Sequence, residues 1–191
     1  MATEEYFDDK VNEDNIGSGG FDLVATGFYL VRVADLREGE DKMDVDMEVI
    51  SGTKPAEVGK VHREFVSLNS KDGNRKKRLA FALATNLLTR DHIKNAREQG
   101  HGLVIDYPSA VGQFCVVEIE QETKNVKNND GEWVADPNGK AQAKIPYDHI
   151  WHIDDKSVAK KGIKIDKAKL EASNAFGGDL PKPPAEAKSD F

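Results

Sequence analysis

From Met43 to Val49 apolar and acidic side chains alternate without a break: Met43, Val45, Met47 and Val49 against Asp44, Asp46 and Glu48. A strand turns successive side chains to opposite faces, so the run reads as a strand with one dry and one wet face. A sheet of that kind needs neighbours, and the flanking sequence supplies them. Upstream, Phe28 to Leu36 carries Tyr29, Val31 and Val33 on one parity and Phe28, Leu30 and Arg32 on the other. The intervening Glu38-Gly39-Glu40-Asp41 predicts a hairpin. Downstream of a turn from Gly52 to Gly59 that contains Pro55, Lys60 to Leu68 reads as a third strand, with Val61, Arg63 and Phe65 sharing a face.

The period then changes. From about Asn74 the apolar positions Leu79, Leu83 and Leu87 recur every four residues among alanines, which predicts a helix over 74–88. A short second helix is expected from Asp91, as its candidate cap, to Gln99, ending at Gly100. Strands return over Gly112 to Glu122 and Lys144 to Ile153, with a polar loop over 125–143 between them. In the last strand Ile145, Tyr147, Trp151 and Ile153 share a parity, and Tyr147 and Trp151 read as core. The chain is therefore mainly β with one or two helices, in the order β-β-β-α-β-β. That is the layout of a five-stranded oligonucleotide-binding (OB) barrel, whose loop between strands four and five commonly touches ligand. Other small barrels and α+β sandwiches produce a similar string.

A length of 191 residues suits one core with appendages. Charged residues make up 32% of the chain, mean hydropathy is −0.60, and no apolar run approaches the ~18 residues of a spanning helix. The acidic start lacks the layout of an export signal, so a cytoplasmic location is expected. The one cysteine, Cys115, excludes an internal disulfide and multi-cysteine zinc sites. Residues 1–20 combine acids with Gly17, Ser18, Gly19 and Gly20 and read as a disordered acidic arm. Residues 171–191 contain three prolines and few large apolar groups and read as a disordered tail, which leaves 21–170 as the folded domain.

Net charge is −7, yet its distribution is uneven. Residues 1–50 hold 4 basic and 14 acidic side chains, whereas 51–170 hold 21 and 16. The densest cationic feature is Arg75-Lys76-Lys77-Arg78, preceded by Lys71. Four adjacent cations on a helix spread around it, so part of the run faces solvent, where phosphates can neutralise it. Cations at a helix N-terminus also oppose the macrodipole, a placement that calls for another reason. Binders of single strands combine such charge with aromatic platforms for bases. Phe28 beside Arg32, Phe65 beside Arg63, and Trp133 in its polar loop are the candidates, each to be weighed against an ordinary packing role. The acidic stripe of Asp44, Asp46 and Glu48 opposes this scheme by pairing with Arg32 and Arg63. The same stripe admits a second reading, magnesium ligands of a nuclease. A third reading is a structural or protein-interaction domain with a solvated basic run. His149 and His152 fall on opposite faces of the expected strand, and no phosphate-binding glycine loop or nucleophile motif occurs, so neither a metal, a cofactor nor catalysis is expected.

The chain ends Lys188-Ser189-Asp190-Phe191. This resembles the tails of bacterial and phage single-stranded DNA-binding proteins, which implies that Asp190 and Phe191 dock replication or recombination partners. Lys182 and Lys188 interrupt the acids typical of that family. The stretch from Gly27-Phe28-Tyr29 through Met43 to Ile50, Gly59-Lys60-Val61 and Phe65-Val66-Ser67-Leu68-Asn69 is similar to a family of small phage proteins found among replication and recombination genes. The resemblance implies sequence-independent binding of single-stranded DNA.

Overall fold

The alternation at residues 43–49 becomes the hub of the structure. In a computed structural model, which describes residues 23–123, 125–127, 132–136, 141–166 and 170, strand β2 (Lys42–Gly52) turns Met43, Val45, Met47 and Val49 wholly out of solvent. On its two sides lie β1 (Gly27–Glu38) and β3 (Val61–Ser67), both antiparallel to it. β4 (Phe114–Thr123) pairs with the other edge of β1, and β7 (Ala141–Lys144) and the two-residue β8 (Ile150–Trp151) pair with successive parts of β4. The main sheet therefore runs β3-β2-β1-β4-β7, with β8 also on β4. β5 (Asn125–Lys127) and β6 (Trp133–Ala135) form a separate two-stranded hairpin within the polar loop. The expected arm at 1–20 and the tail at 171–191, with Asp190 and Phe191, lie outside the described residues, as does the side chain of Trp133.

β1 is long and irregular for a reason. Its register against β2 slips between Leu30 and Val31 and again between Val33 and Asp35. The extra residue of the first slip is Ile50 on β2 and that of the second is Ala34 on β1; each shifts the side-chain parity of its own strand and sharpens the twist. Tyr29, Val31 and Val33 point into the core, and after the second slip Leu36 takes over that face.

Helix α1 (Asp72–Ala84) closes one side of the core, but not with the expected face. Leu79, Leu83 and Leu87 are half-buried, while Phe81 and Ala84 enter the main cluster and Lys77 is buried one turn earlier. The inward stripe follows Lys77, Phe81 and Ala84 because Phe81 is the largest group the helix offers and Lys77 finds a buried partner. Helix α2 (Arg90–Gln99) buries no residue and is capped by Thr89 rather than Asp91: the Thr89 hydroxyl accepts the His92 N–H at 3.2 Å. It ends, as expected, at a left-handed Gly100.

Two expectations for the C-terminal half are corrected. The single strand expected over 144–153 is split into β7 and β8, because Pro146 donates no ladder hydrogen bond. Tyr147, expected in the core, is instead 55% exposed and lies against Gly73 at the start of α1. The sheet also has two dry faces near β4. Leu30, Phe114 and Val116 on the outer side form a second cluster with Val158, Ile163 and Leu170. The chain after β8 thus folds back over β1 and β4, making β4 apolar on both parities from Phe114 to Val117.

Candidate nucleic-acid interface

The outer face of β1, β2 and β3 is a lattice of paired charges around one exposed ring. Asp46, opposite Arg63 in the ladder, accepts two hydrogen bonds from its guanidinium at 2.7 and 3.0 Å and a third from Arg37 at 2.9 Å. The Arg63 hydrogen bond, reinforced by both guanidinium charges, holds the Asp46 carboxyl below its usual range despite burial. Glu48 accepts from Arg32 at 2.6 Å, and Asp44 lies 3.4 Å from Lys42. Two members of the stripe that opposed a cationic groove in the sequence, Asp46 and Glu48, are therefore engaged by arginines of the neighbouring strands, while Asp44 lies beside Lys42 of its own strand. Arg32 and Arg63 are correspondingly committed to acids.

Phe65 stands out from this lattice. It lies on the same face of β3 as Arg63, is 54% exposed, and has the Lys42 ammonium 4.5 Å from its ring centre. The Lys42 ammonium is attracted to the face of this ring, which leaves an aromatic surface and a cation side by side in water. Phe28 is placed differently. It is half-buried, packs against Trp151 with ring centres 6.1 Å apart, and carries Lys161 at 4.5 Å. Lys161 also sits 3.5 Å over Trp151, so the C-terminal segment occupies this aromatic pair.

The basic run divides by direction. Arg75 and Lys76 are exposed, as is Lys71 just before the helix. Arg78 is half-buried and donates to the carbonyls of Ser67 and Asn69 at 2.6 and 2.8 Å, pinning the connection from β3 to α1. Lys77 corrects the expectation of a phosphate contact: it is buried, donating to Glu64 Oε1 at 2.7 Å and to the Ile145 carbonyl at 2.5 Å. Glu64 in turn accepts the Ile145 N–H at 2.8 Å and lies 3.1 Å from His62 Nε2. Burial alone would push the Glu64 carboxyl up, yet His62 and Lys77 outweigh it and hold the group below the ordinary range.

Of the expected nucleic-acid contacts, the structure leaves Phe65, Lys71, Arg75 and Lys76 at the surface, while Arg32, Arg63 and Arg78 are engaged internally. Lys42 is the surface group that sequence reasoning missed. Its signal was positional: it stands at the start of the alternating strand, directly opposite Ser67 and two positions from Phe65 in the ladder. No protein-family model matches this chain, and no curated protein matches it.

Proposed function

We infer that this chain is a non-catalytic, OB-type module that binds single-stranded DNA with little sequence preference, with Phe65 as a base-stacking platform. Phe65 carries the reading: it is a solvent-exposed ring on the β2–β3 face, the face that OB barrels present to oligonucleotides. The strand order supports it, with β1 between β2 and β4, and a helix between β3 and β4. The Glu64 bond to Ile145, which brings β3 and the segment after β7 together, is compatible with it. Lys42, Lys71, Arg75 and Lys76 supply phosphate contacts, with Lys42 exchanging its ring contact for the backbone of the strand that stacks there. The role implied by the sequence resemblance is in replication, recombination or repair, in the cytoplasm, with Asp190 and Phe191 recruiting partner proteins.

The test is a titration of labelled oligo-dT at two salt concentrations with the wild-type chain and Phe65→Ala. Affinity is expected to fall steeply with salt, and Phe65→Ala to lose about 1–3 kcal/mol of binding. Absence of binding at low salt, or an unchanged affinity in Phe65→Ala, would overturn the assignment.

A further inference from the structure

The outer face of β4 changes chemistry along its length. Phe114 and Val116 belong to the second apolar cluster, and the next residues of the same parity are the half-buried Glu118 and Glu120. His149, just before β8, is drawn against them because its carbonyl accepts the Glu118 N–H at 3.1 Å. One ligand atom from each of the three side chains lies within 4.8 Å of the others.

Three observations describe the group. First, His149 Nδ1 is buried and lies 2.8 Å from Glu118 Oε2, while Nε2 has the exposed Asp148 carboxylate at 3.5 Å, so carboxylates stand at both ring nitrogens. Two ligands sharing an ion at bond lengths of about 2.0–2.2 Å come within roughly 2.8–3.4 Å of each other, which the separation of Nδ1 from Glu118 matches. Second, Trp151 stacks on the His149 ring at 5.6 Å and 27°, fixing the plane of the imidazole. Third, Lys144 stands opposite Glu120 in the ladder but gives its ammonium to Glu122 at 2.5 Å. Among the described residues Glu120 pairs with no cation. His152 takes no part, since its Nδ1 accepts the Asp154 N–H at 3.1 Å.

We propose that Glu118, Glu120 and His149 form a binding site for a divalent first-row transition-metal ion of the zinc or manganese type. One imidazole nitrogen with two carboxylates suits these ions, whereas magnesium and calcium favour oxygen alone. Three protein ligands leave coordination positions open. The ion would also add a tie between β4 and the 145–149 connection, beyond the β7 and β8 ladders that flank it and the Glu118–His149 backbone bond.

Calorimetric titration of the full chain with Zn²⁺ and with Mn²⁺ tests the proposal, with Co²⁺ quenching of Trp151 emission in a Trp133→Phe background as a second readout. One saturable high-affinity site is expected. Glu120→Gln and His149→Gln should each weaken binding at least about tenfold and remove the quenching, with the far-ultraviolet circular dichroism unchanged. Glu120→Gln disturbs no ion pair among the described residues, so it keeps the test open even where a change at His149 loosens β8. Absence of saturable binding to the wild-type chain up to millimolar metal would overturn the proposal, as would wild-type affinity in Glu120→Gln.

Discussion

The Glu64 carboxylate reaches across from β3 to accept the backbone N–H of Ile145 at 2.8 Å, joining two parts of the sheet that share no ladder. One side chain does what a run of backbone hydrogen bonds does elsewhere in the sheet. Its second oxygen holds Lys77, which donates in turn to the Ile145 carbonyl. Both polar groups of one peptide position are thereby satisfied by a buried ion pair.

That arrangement splits the basic run experimentally. Lys77→Met leaves Glu64 buried without its cation and should destabilise the fold by ~3–5 kcal/mol, read from urea midpoints. Arg75→Ala with Lys76→Ala should leave stability within ~0.5 kcal/mol and weaken oligo-dT binding. Equal stability losses in the two variants would show that the run does not divide by burial.

The same pair sets an acid limit. Glu64 has its carboxyl held below the ordinary range in the folded protein, so its contribution is fully present above the unfolded value of about 4.3 and is lost as pH falls through the lower folded value. Stability of the wild-type chain should therefore decline in that acid window. The double variant Glu64→Gln, Lys77→Met should decline less over the same range in parallel denaturation profiles.

Phe65 and Phe28 separate binding from packing. Phe65→Ala should change stability little because its ring is already largely in water, while Phe28→Ala loses contacts with Trp151 and the second cluster. A fully buried phenylalanine costs ~3–5 kcal/mol on truncation, and half-buried Phe28 should lose part of that in thermal or chemical unfolding. A loss of DNA affinity in Phe28→Ala without a loss of stability would move the stacking platform to the Phe28 side.

Cys115 reports on the integrity of the core. Its thiol is fully buried, and desolvation pushes its pKa up to about 12. A thiol-specific reagent at neutral pH should leave the native chain unlabelled over times short compared with unfolding, and label it rapidly in denaturant. Prompt labelling of the native chain would mean that β4 opens locally.

The sequence by itself determined the strands and helices whose signal is local. The alternation from Met43 to Val49 marks side chains that leave water together, and the alanine- and leucine-rich run after Asn74 favours a helix; both elements exist, although the inward face of the helix is Lys77, Phe81 and Ala84 rather than the leucines. It also determined that one segment would concentrate positive charge at a helix start. Which of those charges remain available was decided only by the tertiary structure. Lys77 turns inward because Glu64, 13 residues away, and Ile145, 68 residues away, meet it there, and no local pattern encodes that meeting. The acidic stripe likewise became neutralised surface only when Arg37 and Arg63 arrived beside Asp46 from two different strands. Glu118 and His149 come together for the same reason: a pairing across 31 residues is a property of register, and register is settled by packing of the whole sheet.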